Sequence, residues 1–315
     1  MKPDLVIMRA IYEPAIADLE RDFTVHRLWM KDDPDVFLRE HCADVRAVVT
    51  TTPYGFSQRD FEMFPRLEIL ACFGPYFNLI DLATAKARGV KVTHTPGSTA
   101  EPVADLAIGM LIAVMRRLCE SDRFVRAGKW TAVVFPAGVE VRGKTCGIVG
   151  MGRIGREIAK RAAAFDMKIC YHGPQRKDDV AFPYYADLEQ MARDVDCLVV
   201  ACALTATTRN LIDAKILAAL GPEGFLVNVA RGAIVDEDAL IAALKSGGIA
   251  GAALDVFRDE PQVPAELIRL ENVVLAAHIG TSTKEVRNGR HRKLMADIRA
   301  YLDGKPLVYA VPLQP

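Results

Sequence analysis

Thr145-Cys146-Gly147-Ile148-Val149-Gly150-Met151-Gly152-Arg153-Ile154-Gly155 is the stretch on which the reading of this chain turns. A short apolar run, suited to a buried strand, ends in the spacing GxGxxG. Gly150 permits a tight turn after the strand. Gly152 has no side chain, so a phosphate can approach the backbone, and Gly155 lets the next helix pack close to the sheet. That helix opens at Arg153 and Ile154, where free N–H groups and a partial positive charge face an anion. A glycine triplet alone arises by chance in turns. Here a strand pattern precedes it and a helical pattern over 153–164 follows, which points to a site for a dinucleotide pyrophosphate.

The surroundings extend that reading. After 145–149, strands are expected at 168–171, 197–201, 225–229, 250–256 and 273–277, with helices between them, notably 236–246. Six parallel strands with a glycine turn after the first describe a doubly wound dinucleotide-binding fold. Upstream, apolar runs at 5–8, 45–50, 67–72 and 90–93 alternate with helical patterns near 13–21, 34–41, 57–64 and 81–88. That alternation implies a second parallel sheet with helices on both faces. Ser98-Thr99-Ala100-Glu101 has capping-box spacing and Pro102 follows, so a long helix, apolar on most sides, is expected to run to about Cys119. Ser282-Thr283-Lys284-Glu285 has the same spacing. Leu294, Ile298 and Leu302 then recur every fourth residue, and Gly304 and Pro306 end that helix. With no strand after it, it is expected to return to the first domain. The expected division is 1–97 with 284–315 as one discontinuous domain and 98–283 as the other.

Composition bounds the function. The chain has 315 residues, 51% of them apolar, so a sizeable core is available. Lys+Arg and Asp+Glu both number 40, which offers no general attraction to nucleic acid or an anionic membrane. Seven scattered cysteines without a CxxC pair read as reduced thiols rather than disulfides or a metal site. The N-terminus carries acids too early for a signal peptide. The most apolar stretch, 106–115, is about half of the ~20 residues that a membrane span needs. A cytoplasmic protein without a metal is the expectation.

Three polar residues follow three separate apolar runs: Arg231 in NVARG, Glu260 in DVFRDEP and His278 in AAHIG. Singly each has a plain structural reading, as a loop ion pair, a turn acid before Pro261 and a core histidine. Together they fall on one carboxyl edge of one sheet, where open α/β sheets bind ligands. A cation, a carboxylate and a titratable imidazole suit reduction of a charged carbonyl compound. At the ribose position, the strand ending at Tyr171 leads into His172-Gly173-Pro174-Gln175-Arg176-Lys177, with no acid at the strand end. Asp178 and Asp179 come too late to hold a 2′-hydroxyl. Arg176 and Lys177 suit a 2′-phosphate, so NADP(H) is expected to be preferred, with NAD(H) as the other cofactor.

These segments, with VADLAIG (103–109), GKTCGIVGMGRIG (143–155), NVARGAIVDEDAL (228–240), LDVFRDEP (254–261) and HIGTST (278–283), resemble the D-isomer-specific 2-hydroxyacid dehydrogenases over nearly the whole chain. Within that family the chain looks most like glyoxylate/hydroxypyruvate and hydroxyphenylpyruvate reductases, the latter through RRLCESDRFVRAGKW (116–130). The resemblance implies a Rossmann-type cofactor domain and a flavodoxin-like substrate domain, with the substrate, a small 2-oxo acid, between them. It implies that Arg231 holds the carboxylate, that His278 gives a proton to the carbonyl oxygen, and that Glu260 orients the imidazole. It places Thr208, Ala230, Asp255 and Gly280 with Arg231 and His278 on the cofactor side, joining Gly150, Gly152, Arg153, Ile154, Gly155, His172, Gln175, Arg176 and Lys177. It also implies a homodimer built on the helix from Thr99 and on 120–142. Substrate contacts are expected from Gly74, Pro75 and Tyr76, where the chain departs from the family. Pro75 has no N–H to offer a carboxylate, and Tyr76 adds a ring where the family has no side chain. Pro174 and Ala277 are further departures. The alternatives are a hydroxyphenylpyruvate-type reductase and a non-catalytic NAD(P)-sensing protein of the same fold.

Overall fold

A computed structural model describes residues 2–97 and 99–313. The chain divides into two units, Met1–Ser98 with Lys284–Pro315, and Thr99–Thr283.

In the first unit, β1 (Asp4–Ile7), β2 (Thr24–Arg27), β3 (Ala47–Thr51), β4 (Ile69–Phe73) and β5 (Lys91–His94) form a parallel sheet of order β2-β1-β3-β4-β5. Helices α1 (Glu13–Asp22), α2 (Pro34–His41), α3 (Gln58–Glu62) and α4 (Leu82–Ala87) connect the strands. Asp33, Ser57 and Asp81 cap the last three through their side chains, which satisfies N–H groups that a helix start leaves open. Strand β2 is not expected from the sequence. Its TVHR is an edge segment, exposed or half-buried throughout, so it carries little apolar signal.

The second unit begins with α5 (Ala100–Met115) and α6 (Leu118–Arg126). The expected single helix to Cys119 is therefore two. The Met115 carbonyl accepts the Val139 N–H at 2.8 Å, and Arg117 turns left-handed at φ 54°. Arg117 then grips Glu120 through two bonds of 2.8 and 2.7 Å, tying the first turn of α6. The N-cap of α5 is Thr99, without a side-chain cap bond; Ser98, expected to open a capping box, lies outside the described residues.

Strands β6 (Thr145–Val149), β7 (Lys168–His172), β8 (Tyr184–Tyr185), β9 (Cys197–Val200), β10 (Phe225–Asn228), β11 (Gly251–Leu254) and β12 (Val273–Leu275) form a parallel sheet of order β12-β11-β10-β9-β6-β7-β8. The six expected strands are present and β8, two residues long, is added at the edge. Helices α7 (Arg153–Ala164), α8 (Leu188–Asp194), α9 (Ala214–Leu220), α10 (Glu237–Ser246) and α11 (Ala265–Arg269) alternate with them. One apolar cluster packs α5 and α7 on one face of the sheet, and a second packs α8, α9 and α10 on the other. Both faces are buried, which is why the strands read as unbroken apolar runs.

The last helix, α12 (Lys284–Leu302), belongs to the first unit and buries Leu294, Met295 and Ile298. Leu302, expected on that face, is 43% exposed; Tyr301 packs at that end instead. Gly304 ends the helix in the left-handed region at φ 66°.

Candidate active site

Strands β10, β11 and β12 are neighbours, so the loops after them lie side by side at one sheet edge. At the end of β10, buried Asn228 accepts the Ala230 N–H at 3.0 Å and donates to the Arg231 carbonyl at 3.1 Å. This clasp fixes where Arg231 leaves the strand. The Arg231 guanidinium donates to the Ala230 carbonyl at 2.6 Å, is exposed, and has no carboxylate partner among the described residues. The loop ion pair of the plain reading is therefore absent.

After β11, Glu260 turns back on its own loop. One carboxylate oxygen accepts the Phe257 N–H at 3.0 Å, and the other takes the His278 ring at Nδ1, 2.6 Å away. With Nδ1–H donating to Glu260, Nε2 is the free nitrogen of a side chain that is 49% exposed. His278 is thus no core histidine. Its backbone is left-handed at φ 52°, a conformation that costs a non-glycine residue roughly 1–2 kcal/mol. Three hydrogen bonds to Asp255 hold it there. The Asp255 carbonyl accepts the His278 N–H at 2.9 Å, and its carboxylate accepts the N–H groups of Ile279 at 2.7 Å and Gly280 at 2.9 Å.

The glycine turn lies at the same edge, after β6. Gly150 has φ 101°, and an added Cβ would meet the Cys202 backbone at 2.6–2.7 Å, where the chain leaves β9. The adjacent strands β6 and β9 carry the chain in opposite directions across the sheet, so this is its topological switch point. A Cβ on Gly155 would fall on the Gly150 carbonyl, which requires glycine. A Cβ on Gly152 would meet nothing within 4 Å, and no side chain caps the first turn of α7. Open space before uncapped N–H groups fits a pyrophosphate. Arg153 is exposed and Ile154 half-buried beside it.

Where the ribose is expected, β7 ends at His172, whose ring contacts the Tyr185 carbonyl at 3.0 Å and whose carbonyl accepts the Gly150 N–H at 2.9 Å. Gln175 and Arg176 are exposed, and the Lys177 N–H donates to Tyr171 Oη at 2.8 Å. Asp179 is paired with Arg156 at 2.8 Å. That guanidinium holds its carboxyl below the usual range.

Residues 108–280 match the family model described as D-isomer specific 2-hydroxyacid dehydrogenase, NAD binding domain. Glyoxylate/hydroxypyruvate reductase A of Arabidopsis thaliana is 45% identical over 93% of this chain and 94% of its own length. The chain belongs to the D-isomer-specific 2-hydroxyacid dehydrogenase family. Hydroxyphenylpyruvate reductase of Plectranthus scutellarioides is 40% identical over the same shares. Among solved structures, a 2-hydroxyacid dehydrogenase from Ketogulonicigenium vulgare superposes with a TM-score of 0.89 at 36% identity, each chain fully covered. An NADPH-dependent glyoxylate/hydroxypyruvate reductase from Sinorhizobium meliloti, in complex with NADP and malonate, gives 0.81 at 34%, covering 100% of this chain and 98% of that one. This dehydrogenase is accordingly an NAD(P)-dependent oxidoreductase.

Not every expected residue is free for a ligand. Thr208 Oγ1 donates to the Ala203 carbonyl at 2.7 Å and accepts the Thr205 N–H at 2.7 Å, so it closes the loop after β9. Asp255 is 2% exposed and turned into the protein, so its visible task is to hold the His278 loop. Gly280 is buried against it. In the first unit, the Gly74 N–H donates to the Cys72 carbonyl at 2.9 Å and the Tyr76 N–H faces Thr52 Oγ1 at 3.4 Å. The Pro75 carbonyl contacts His94 at 3.1 Å. The backbone of 74–76 therefore offers a carboxylate no free N–H group, and the loop presents the Tyr76 ring, 45% exposed.

Two contributors are missed in the sequence. A Cβ on Gly232 would overlap the Phe257 carbonyl, so the Arg231 turn packs backbone to backbone on the Glu260 loop. Glu237, 5% exposed at the start of α10, accepts the Arg258 N–H at 3.1 Å in that same loop. The glycine directly after the arginine was the available signal. A buried glutamate at a helix start reads as ordinary first-turn chemistry.

Proposed function

We propose that this dehydrogenase reduces a small 2-oxo acid of the glyoxylate or hydroxypyruvate kind to the D-2-hydroxy acid, with NADPH preferred over NADH. The observation that carries the reading is the Glu260–His278 pair at 2.6 Å, with Nε2 open and with Arg231, which has no ion-pair partner among the described residues, in the loop after the strand beside that of Glu260. The nicotinamide cofactor, when bound, supplies the hydride. Arg231 binds the carboxylate and polarises the 2-oxo group, for which a planar, always charged fork is suited. His278 Nε2 gives its proton to the carbonyl oxygen, and Glu260 holds the ring and balances the imidazolium. Asp255 keeps the imidazole in place through the backbone. Gly150, Gly152 and Gly155 with Arg153 and Ile154 hold the pyrophosphate, and His172, Gln175, Arg176 and Lys177 frame the ribose. Ala230 and Gly280 lie on the nicotinamide side. Tyr76 is the substrate contact of the 74–76 loop.

The absence of an acid at the end of β7, with Arg176 exposed and Asp179 engaged by Arg156, supports NADPH. A hydroxyphenylpyruvate-type substrate is the second reading, favoured by the 40% identical reductase of that name. A homodimer is supported by apolar side chains left exposed on α6 and after it: Leu118, Val125, Trp130, Val133 and Val134. Among the described residues no helix is long and apolar enough to cross a membrane. The seven cysteines are free, which fits a reducing compartment such as the cytoplasm.

NADPH and NADH oxidation with glyoxylate, hydroxypyruvate and hydroxyphenylpyruvate tests both choices through kcat/KM. A strong NADH preference refutes the cofactor assignment. His278→Ala is expected to lower kcat by orders of magnitude with cofactor binding nearly intact; a normal kcat removes His278 from the chemistry. Arg231→Ala is expected to raise KM most, and an unchanged KM ends its assigned role. Light scattering of the purified protein reads the oligomeric state.

A further inference from the structure

Helix α12 lies along β4. Near its carboxyl end, Tyr301 donates its hydroxyl at 2.7 Å to Glu68, the residue before the strand begins. Ile298 and Leu294, further back on the helix, are buried with Ile69, Ala71 and Phe73. Arg290 is four residues before Leu294 and continues that face. From Tyr301 to Arg290 the helix rises about 16 Å. From Glu68 to Phe73 the strand rises about 16 Å. Arg290 therefore reaches the end of β4, where the chain turns into Gly74-Pro75-Tyr76.

Arg290 is half-buried and has no hydrogen-bond or ion-pair partner among the described residues. Burial presses its guanidinium below the ordinary arginine range, with Cys72 and Tyr76 close enough to act on it electrostatically. The adjoining loop uses its own N–H groups internally, as described above. Beside it, Thr95 donates its N–H to the Gly74 carbonyl at 3.0 Å. Thr95 is 2% exposed, and its hydroxyl has no partner among the described residues. A partly buried cation and a buried hydroxyl without partners are both costly unless something completes them. They stand at the same end of adjacent strands β4 and β5.

We propose that this edge of the first unit is a carboxylate-binding subsite, with Arg290 as its cation, the Thr95 hydroxyl as a donor and the Tyr76 ring as its wall. Arginine presents a planar pair of donors that matches a carboxylate. It would supply the attraction that Pro75 and the engaged N–H groups of 74–76 do not. The choice of a carboxylate as ligand rests on the 2-oxo acid reading above. The carboxylate has two sources, the 2-oxo acid itself or a separate small acid.

Calorimetric titration of the NADP-loaded enzyme with oxamate, a non-reducible 2-oxo acid mimic, tests the subsite. Arg290→Met is expected to weaken oxamate binding at least tenfold, and Arg290→Lys to keep part of it. If the KM for glyoxylate rises in parallel, the anion is the substrate's own carboxylate; if KM holds while oxamate binding falls, it is a separate acid. Both results uphold the subsite. Oxamate binding unchanged in Arg290→Met overturns it. Should that variant fail to fold, Arg290→Gln carries the same expectation. The His278→Ala test is independent: its failure would remove the reduction reading and leave the oxamate result standing.

Discussion

Gly232→Ala probes how the sheet edge that carries Arg231, Glu260 and His278 is assembled. An added methyl would overlap the Phe257 carbonyl, whereas ordinary contact begins at 3.4 Å. The two loops must then part by more than about 1 Å, and such overpacking costs roughly 1–3 kcal/mol. At about 2–4 °C per kcal/mol for a unit of this size, the melting temperature is expected to fall by several degrees. The larger effect is on rate. Phe257 donates its N–H to Glu260, which reaches His278 at 2.6 Å. A displacement of about 1 Å at a catalytic group lowers rate by about a hundredfold. The assay is kcat for glyoxylate at 20 °C, well below the melting transition measured by circular dichroism, so that unfolding does not imitate the loss. A variant that keeps kcat within threefold of the parent would show that the Arg231 turn and the Glu260 loop are not mechanically joined through this contact.

Three further outcomes are expected. Glu260→Gln replaces the carboxylate that holds the His278 ring at 2.6 Å with a weaker acceptor, so kcat is expected to fall at least tenfold with cofactor binding kept; an unchanged kcat would take Glu260 out of the proposed mechanism. Burial pushes the Cys42, Cys72 and Cys202 thiols up to about 11 and the Cys170 thiol up to about 12. At pH 8 about one in a thousand or fewer of these groups is then thiolate, and iodoacetamide labelling of the native protein is expected to be slow at all four, a result that rapid modification at any of them would contradict. Gly289 lies inside α12 with nothing within 4 Å of an added Cβ, so Gly289→Ala is expected to raise stability by about 0.5–1 kcal/mol, and a lower melting temperature would show hidden crowding there.

Much of the fold is legible in short windows because its strands are buried on both faces and its helices carry local signals. The run 145–149 and the helix 153–164 appear where the pattern puts them. The failures share a cause. Strand β2 exists because it pairs with β1, and its own residues say little. Strand β8 is held by two register partners in β7. The helix after Thr99 breaks at Met115 because Val139, far along the chain, takes its carbonyl. The candidate site divides in the same way. Arg231, Glu260 and His278 stand out as polar residues a few positions past apolar strands. Glu237 does not, since its importance comes from the Arg258 N–H of another loop.

The chemistry available is written in the order of residues: a glycine turn suited to phosphates, a guanidinium, a carboxylate and an imidazole, each following a strand. Which of them meet depends on the folded sheet. The order β12-β11-β10 sets Glu260 against His278, turns Asp255 inward to hold the histidine backbone, and lays Gly232 on Phe257. Strand order and register are properties of the whole sheet, settled by how both faces are buried. No local window contains them, because the partners lie many residues apart along the chain and meet only when the sheet is complete.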